Sequence, residues 1–219
     1  MKEEDVDKLY RCESKTPNIE IGQFKTYNYY DDPRRFSFDS SRYKFCSKML
    51  SDKDRVMEIG CNDAMWSPIV AQTVKHLIAI DNQPFIIEDD KKRLNGFKNI
   101  EFRCEDITKG INIKVDAIYS LDVLEHIDSK YDDTIIKNIC KCLNEDGICI
   151  IGTPNKTAEV FASEISKLKH INLKTFNELK ILMQMYFKNV FMFGMNDEIV
   201  HTGFPPMCNY LLAIGVSPK

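Results

Sequence analysis

The chain contains 219 residues, of which 43% are hydrophobic and 29% are charged, as is usual for one globular domain with a substantial core. Its formal net charge of −3 lacks the strongly basic character of most nucleic-acid-binding domains. No apolar run approaches the length of a membrane-spanning helix, so we expect neither a nucleic-acid partner nor a membrane partner.

The first 45 residues do not follow the alternation of strands and helices seen later in the chain. Aromatic residues at positions 27, 29, 30 and 36 flank the charged run 31–35, which predicts an N-terminal helical cap over residues 1–45. Residues 38–43 have the pattern of a capped helix start. We expect this cap to cover the ligand-binding crevice of the domain.

From residue 46 onward, short apolar runs alternate with stretches of helical periodicity. This pattern is typical of an α/β fold with a Rossmann-like, doubly wound sheet. A second portion, 156–219, ends in two apolar runs with no helix between them, which predicts an antiparallel pair of strands at one edge. We predict strands at 55–60, 76–81, 98–103, 115–121, 147–153, 189–194 and 208–216, and helices near 66–75, 84–94, 131–144 and 175–187.

A nucleotide-type site is indicated by the first two predicted strands. The first breaks at Gly60 into a loop that opens a helix, and the second ends in Asp81, about 20 residues further on. Ligands of open parallel sheets bind beyond the carboxyl ends of the strands, so both residues should lie at one crevice. There the Asp81 carboxylate can accept the two hydroxyl groups of a ribose.

The loop after Gly60 discriminates between cofactors. A dinucleotide site needs three glycines, because pyrophosphate must approach bare backbone, whereas Asn62 follows here. Glu58 and Asp63 place two carboxylates where a pyrophosphate would sit and would repel it. A cofactor with a ribose, no phosphate and a cationic amino-acid end fits better, and S-adenosyl-L-methionine has these properties.

Five sequence blocks support this interpretation and occur in one order along about residues 54–155. They are VMEIGCND (56–63), ID (80–81), CEDI (104–107), DAIYSLDVLEHI (116–127) and GICIIGTP (147–154). In them the chain resembles the class I S-adenosylmethionine-dependent methyltransferases. It departs from that family at Asn62, where a glycine is usual, and at Ala64, where one is frequent.

The resemblance implies a seven-stranded sheet, mostly parallel with an antiparallel last strand, and a single domain divided into a cap (1–45), a cofactor-binding core (46–155) and a substrate-side segment (156–219). It also implies the residues that bind S-adenosylmethionine and its product, S-adenosyl-L-homocysteine. Gly60 and Asp63 would lie at the amino-acid end, Asp81 with Asn82 at the ribose, and Asp106 with Ile107 at the adenine. The full predicted cofactor set is Arg42, Tyr43, Glu58, Gly60, Asp63, Asp81, Asn82, Asp106, Ile107, Leu121 and Asp122.

Some of these residues have a simpler structural interpretation. Arg42 and Tyr43, predicted to contact the methionine end of the cofactor, would otherwise pack and solvate their helix. Asp106 would otherwise cap the turn after the third strand. His126, which follows the fourth strand, is a candidate base or a residue that holds its loop through hydrogen bonds.

Two segments that leave late strands are predicted to contact the substrate. One is 153–173, with Asn155 and His170, and the other is 195–206, with Asn196, Asp197, Glu198 and His201 in one loop. This loop would otherwise be an ordinary turn stabilised by Asn and Asp. We rank the candidate general bases in the order His201, His170 and His126.

The compartment is predicted from the cysteines and the N-terminus. The eight cysteines form no Cys-x-x-Cys pair and show no metal-ligand spacing with the four histidines, so we expect no metal site. The N-terminus lacks the apolar core of a signal peptide. A cytoplasmic location is therefore expected, whereas the sequence does not indicate an oligomeric state.

The expected function is methyl transfer to a small polar acceptor. The patterns HINL (170–173) and MNDE followed by HTGF (195–204), in the last 50 residues or so, resemble methyltransferases of bacterial surface polysaccharide (capsule) biosynthesis, including phosphoramidate decoration. They favour an oxygen of a sugar or of a phosphate-bearing intermediate. The alternatives are a protein or RNA methyltransferase, and a non-catalytic protein that binds S-adenosylmethionine.

Overall fold

Eight β-strands form one mixed sheet in the computed structural model, which describes residues 18–219. The strands follow the predicted apolar runs closely, and the only strand without a predicted counterpart is the short seventh one. They are β1 (Arg55–Ile59), β2 (His76–Asp81), β3 (Ile100–Cys104), β4 (Val115–Leu121), β5 (Leu143–Pro154), β6 (Phe187–Asn196), β7 (Ile199–His201) and β8 (Tyr210–Pro218).

Seven α-helices accompany these strands in the described part of the chain, and short 3₁₀ turns follow β3, β4 and β5. The helices are α1 (Gln23–Asp31), α2 (Arg35–Met49), α3 (Ser67–Ala71), α4 (Pro84–Arg93), α5 (Asp132–Cys142), α6 (Glu164–Lys169) and α7 (Phe176–Tyr186). Helix α7 begins at a capping box, in which the Thr175 side chain and Glu178 exchange hydrogen bonds with each other's backbone.

The strand order is β3-β2-β1-β4-β5-β8-β6-β7. Strands β1 to β5 are parallel, and β8 pairs antiparallel with β5 on one side and with β6 on the other. The predicted count of seven strands is therefore one short, because β7 forms an additional hairpin with the end of β6. The predicted antiparallel pair, β6 and β8, does not form the edge, since β7 lies outside it.

Both faces of the sheet are buried, as the nearly continuous apolar runs of the parallel strands require. Successive residues alternate between two cores: Met57 and Ile78 face one core, and Val56 and Leu77 face the other. The first core is covered by α5 and α7, and the second by α2. This double cover fixes the register of the strands and hence the positions of the loops at their carboxyl ends.

The structure describes only part of the predicted N-terminal cap, since residues 1–17 lie outside the described residues. The remainder folds as α1 and α2, and Phe45 of α2 packs edge-on against Phe193 of β6 with 5.4 Å between ring centroids. Lys25 of α1 and Asp39 and Tyr43 of α2 border the crevice described below. A cap over the whole of residues 1–45 stays a prediction. None of the helices in the described part of the chain is long and apolar enough to span a bilayer.

Truncation of a buried isoleucine in the first core should destabilise the fold. Ile136 of α5 is fully buried, so Ile136→Ala should lower the free energy of unfolding by about 2–5 kcal/mol through lost burial and a cavity. Ile181 of α7 is 59% exposed, and Ile181→Ala should change it by less than about 0.5 kcal/mol. Urea denaturation of both variants measures the difference, and equal losses would contradict the described packing.

Candidate functional site

A crevice of about 560 Å³ opens at the carboxyl ends of β1 to β4. The loops after these four strands supply most of its lining, and α1 and α2 border it. Ten of the predicted site residues lie in this lining: Tyr43, Gly60, Asp63, Asp81, Asn82, Asp106, Ile107, Leu121, Asp122 and His126.

The floor of the crevice is the tight turn at Gly60. Its φ of +75° is favourable only for glycine, and its N–H donates to the carbonyl of Ile80 at 2.8 Å. A Cβ atom here would lie 2.3 Å from a methyl carbon of Val123 in the loop after β4. The absence of a side chain therefore lets the loops after β1 and β4 meet.

Asp81 lies at the end of β2 with its carboxylate turned toward this turn. One oxygen accepts the N–H of Asn62 at 3.2 Å, and the other accepts the N–H of Gln83 at 3.0 Å. These bonds fix the carboxylate at the crevice wall, while each oxygen retains lone pairs for a ligand. Its neighbour Asn82 also lines the crevice.

Asp63 supplies a buried anionic position. One oxygen accepts the backbone N–H of Lys25 at 2.7 Å, whereas Oδ1 has no hydrogen-bond partner within residues 18–219. Burial raises the pKa of Asp63 above its ordinary value, and hydrogen bonding to Lys25 lowers it in part. A buried carboxylate oxygen without a donor is suited to a cationic ligand group.

Asp106, in the turn after β3, caps that turn and also lies at the crevice. Its Oδ1 accepts the N–H of Thr108 at 3.0 Å and the hydroxyl of Thr108 at 2.6 Å, so it caps the 3₁₀ turn that follows. The hydrogen bond from the Thr108 hydroxyl lowers the pKa of Asp106. Oδ2 lies 3.5 Å from the exposed ammonium group of Lys109, and both Asp106 and Ile107 line the crevice.

Glu58 lies beneath the turn and is not among the described residues that line the crevice. It is 1% exposed and accepts hydrogen bonds from the hydroxyls of Tyr43 at 2.9 Å and Tyr119 at 2.8 Å. Burial raises the pKa of Glu58, and these two bonds lower it in part. Its position indicates support of the crevice floor in place of the predicted contact with the cofactor.

Arg42 joins the N-terminal helices to the loop after β4. One guanidinium nitrogen donates to Asp122 at 2.7 Å and to Asp39 at 3.3 Å, and the guanidinium carbon lies 3.9 Å from the ring centroid of Tyr210. Arg42 is therefore engaged with protein groups on several sides and lies behind the lining. Asp122, with a φ of +57°, is held in the lining beside Leu121.

The three predicted bases lie in two different places. His126 lines the crevice, and its ring centroid is 5.0 Å from that of His170. His201 lies in the β6–β7 hairpin, where one ring nitrogen accepts the N–H of Gly203 at 2.9 Å and the other contacts Asn196 at 3.2 Å. Both nitrogens of His201 are thus engaged within its own hairpin, and neither His201 nor His170 is among the described residues that line the crevice.

The electrostatic surroundings of the histidine pair are set by burial. Burial, together with the charge of His126, lowers the pKa of His170. Glu125, which precedes His126, is fully buried, and burial together with Asp122 raises the pKa of this carboxyl to about 8.

The predicted substrate residues are placed differently from the expectation. Asn155 is 2% exposed, and its amide donates to the carbonyls of Pro205 at 3.0 Å and Cys208 at 2.8 Å. It joins β5 to the segment before β8, so its side chain is used in the fold and not at the crevice. Asn196, Asp197 and Glu198 form the β6–β7 turn, with Asp197 at a φ of +50°, which agrees with the alternative of an ordinary turn.

Sequence reasoning missed several crevice residues. Lys25 and Asp39 border the crevice as an ion pair, and Trp66 packs edge-on against Phe36 with 5.2 Å between ring centroids. The only signal for Trp66 was the single tryptophan of the chain directly after the glycine loop. Nothing in the sequence places Lys25 opposite a loop that begins 35 residues later.

A family model described as a methyltransferase domain matches residues 50–194, about two-thirds of the chain. The chain therefore belongs to this family. The predictions of an S-adenosylmethionine-dependent methyltransferase and of S-adenosylmethionine as its methyl donor are confirmed.

Two curated relatives align with part of this chain. The ubiquinone biosynthesis O-methyltransferases of Xylella fastidiosa strains M23 and Temecula1 are each 29% identical to this chain over 128 residues. The aligned part is 55% of this chain and 50% of each relative, so the chain spans about half the length of the curated relatives it matches.

Solved structures share the fold at low sequence identity. One is the N-methyltransferase NodS of Bradyrhizobium japonicum WM9 in complex with S-adenosyl-L-homocysteine, with a TM-score of 0.65 at 19% identity. The alignment covers 88% of this chain and 92% of the NodS chain. The methyltransferase domain of bacterial CtHen1-C has a TM-score of 0.70 at 14% identity and covers 83% of this chain and 100% of its own. These similarities establish the fold alone.

The crevice fits S-adenosylmethionine on its own geometry. We expect the unpartnered Oδ1 of Asp63 to face the ammonium group, the remaining lone pairs of Asp81 to accept the ribose hydroxyls, and Ile107 with Leu121 to line the adenine site. We therefore expect Asp63, Asp81 and the Gly60 turn to hold the cofactor.

Removal of the Asp81 carboxylate should weaken cofactor binding. Asp81→Ala leaves the ribose hydroxyls without their acceptor, and we expect S-adenosylhomocysteine to bind about 10- to 150-fold more weakly by calorimetry, about 1.5–3 kcal/mol. Glu88→Ala, an exposed charge change on α4, is the matched control and should bind normally. Unchanged affinity in Asp81→Ala, or tight binding of NAD by the wild type, would contradict the assignment.

The pH dependence of stability should reveal the buried Glu58. Because its pKa is raised in the folded state, the folded protein keeps this proton after the unfolded chain has lost it, so stability falls as the pH rises above about 4.5. Glu58→Gln cannot titrate, so the variant should gain stability relative to the wild type as the pH rises from about 4.5 toward neutrality, by at most about 1.4 kcal/mol for each pH unit. Urea denaturation across this range, with Glu88→Gln as control, measures the effect. Parallel curves for Glu58→Gln and the wild type would show that Glu58 does not contribute.

Proposed function

We propose that this methyltransferase transfers the methyl group to an oxygen of a small polar acceptor bound beside His126. The observation that supports this proposal is the extent of the crevice. It reaches from the loop after β3, with Asp106, to the loop after β4, with His126, and the β2 and β1 strands lie between them. A cofactor held at Gly60, Asp63, Asp81 and Asp106 leaves the end near His126 for the acceptor.

The chemistry asks mainly for positioning. When bound, S-adenosylmethionine supplies a methyl group already activated by its sulfonium. The protein has to hold the acceptor oxygen in line with that methyl group and exclude water, and an oxygen nucleophile also has to lose a proton. Nδ1 of His126 lies 3.1 Å from the carbonyl of Lys169, and it must carry the proton because a carbonyl can only accept. Nε2 of the neutral ring therefore keeps its lone pair.

An oxygen acceptor is supported by the curated relatives, which are named as O-methyltransferases. The finer proposal is a sugar, or a phosphate- or phosphoramidate-bearing intermediate of surface polysaccharide biosynthesis in the cytoplasm. It is supported by the sequence resemblance of the segments around 170–173 and 195–204. The first of these segments begins at His170, in contact with His126 at the crevice.

Two alternative functions make different predictions. A protein or RNA methyltransferase would bind a macromolecular acceptor, for which the charge of −3 gives no support. A non-catalytic protein would bind the cofactor without turnover. Against it, Asn62 adopts a φ of +48°, so the residue that replaces the usual glycine still allows the left-handed turn.

Replacement of His126 should lower turnover and leave cofactor binding nearly unchanged. We expect His126→Ala to reduce the rate by about 10²–10⁴-fold, because the acceptor loses the group that deals with its proton. The acceptor is first found by screening sugar phosphates and nucleotide sugars for release of S-adenosylhomocysteine. Rates and cofactor affinities are then measured for His126→Ala, His170→Ala and His201→Ala.

The four histidines of the chain provide matched controls. His76→Ala, at the amino end of β2, should keep the wild-type rate, and so should His201→Ala according to its position. A loss of rate in His201→Ala alone would restore the order predicted from the sequence. Wild-type rates in all four variants would leave positioning as the whole mechanism, and no turnover with any acceptor would favour the non-catalytic alternative.

A further inference from the structure

Three potential metal ligands converge beside the crevice. A carboxylate oxygen of Glu125 and one ring nitrogen each of His126 and His170 all lie within 4.8 Å of one another. Within the described part of the chain, this is the single cluster with that property. Ligand–metal bonds of about 2.0–2.2 Å in a tetrahedral site place the ligand atoms roughly 3.3–3.6 Å apart, so the side chains would close around the ion by up to about 1.5 Å.

The Glu125 carboxylate has an unmet requirement for a partner. The residue is fully buried, its Oε2 accepts the hydroxyl of Thr153 at 3.1 Å, and its Oε1 has no hydrogen-bond partner among residues 18–219. A buried carboxylate oxygen left unpaired is costly, whereas a bound cation satisfies it.

The His126 ring is oriented as in metal sites. Its Nδ1–H donates to the carbonyl of Lys169, which leaves Nε2 unprotonated in the neutral ring. Metal-bound histidines commonly use this arrangement, in which a backbone carbonyl fixes the tautomer and the orientation of the ring. The His170 ring lies 5.0 Å away and is partly buried.

The two segments that carry these ligands are fixed to each other. Asn172, 5% exposed, donates its backbone N–H to the Glu125 carbonyl at 3.1 Å and its amide to the Leu124 carbonyl at 3.2 Å. The same amide donates to Asp132 at 2.8 Å, and Lys174 bonds to both Asp132 and Asn172. The separation of His170 from Glu125 and His126 is therefore set by buried hydrogen bonds, as a preorganised site requires.

We propose that Glu125, His126 and His170 form a binding site for a divalent transition-metal ion. Two imidazole nitrogens and one carboxylate oxygen suit Zn²⁺, Mn²⁺, Fe²⁺ or Co²⁺ better than Mg²⁺ or Ca²⁺, which prefer oxygen ligands alone. Three protein ligands leave at least one coordination position open toward the crevice. The ligands come from positions 125, 126 and 170, so no short spacing in the sequence indicated the site.

The role of the ion rests on the proposed function, with one change: His126, whose Nε2 would bind the ion, would then act as a metal ligand and not as the base. An acceptor hydroxyl that occupies the open position would have its pKa lowered and lose its proton to solvent. The oxygen lone pair would then form the bond to the methyl carbon while the carbon–sulfur bond breaks and its electron pair stays on sulfur. The products are the methyl ether, S-adenosylhomocysteine and one released proton.

Metal binding can be tested without cofactor or acceptor. The protein is stripped with EDTA and titrated with Zn²⁺ by calorimetry and with Co²⁺ by visible absorption, which reports its coordination by imidazole. We expect one ion per chain in this site. His126→Ala, His170→Ala and Glu125→Gln should each bind at least about 10-fold more weakly, because even the loss of a supporting partner commonly has that effect.

The control variant is His76→Ala. It removes a histidine at the amino end of β2, away from the crevice, and should bind the metal as the wild type does. Glu125→Gln keeps the size of the side chain and an acceptor for Thr153, and the two histidine variants test the site even if this one is unstable. Equal affinity in all variants, or no binding by the wild type, would overturn the proposal.

Activity measurements separate this proposal from the proposed function. Turnover that persists in EDTA, with no metal binding, would overturn the metal site and leave the methyltransferase function intact, with His126 as a free base. Metal binding that depends on the three ligands, without turnover for any acceptor, would confirm the site and reject the proposed acceptor class.

Discussion

The buried carboxyl group of Glu58 is the contact on which the crevice depends. It lies on β1 immediately before the Gly60 turn and receives one hydroxyl from Tyr43 of α2 and one from Tyr119 of β4. Three segments, 15 and 61 residues apart in sequence, are thereby fixed to one another under the crevice floor. Such a group is expensive to bury and is tolerated because both of its oxygens are satisfied. A slip of α2 along the sheet would break this pairing and also separate Arg42 from Asp122.

The sequence predicted the half of the site that depends on the sheet. Gly60, Asp81 and Asp106 lie at or just after the carboxyl ends of strands, and parallel strands bring these ends to one edge whatever their separation in sequence. The sequence did not predict how polar side chains in the later loops are used. Asn155 and His201 both look available for a ligand in the sequence. In the structure the Asn155 amide donates to two backbone carbonyls, and the His201 ring contacts the Gly203 N–H and Asn196. Such pairings depend on tertiary contacts and have no local sequence pattern.

The loop after Gly60 keeps a left-handed path without further glycines. Asn62 and Ala64 have φ values of +48° and +47°, and this region costs about 1–2 kcal/mol for most residues, such as alanine, whereas asparagine tolerates it better. Each has a partial compensation. The Asn62 side chain accepts the N–H of Asp63 at 2.8 Å, and the methyl group of Ala64 is buried in a small core with Ile87. Asp122 adds a third left-handed residue, so backbone conformations of this kind are concentrated around the crevice.

The position of β8 has a consequence for the order of folding. This strand lies between β5 and β6, both of which precede it in sequence, and it forms antiparallel ladders with each. During synthesis β6 and β7 therefore cannot join the main sheet until residues 210–218 have left the ribosome. Until then the apolar edge of β5 is exposed, and a nascent chain at that stage can pair with another chain. Completion of the sheet by β8 is thus a late, long-range event, of the kind that slows folding.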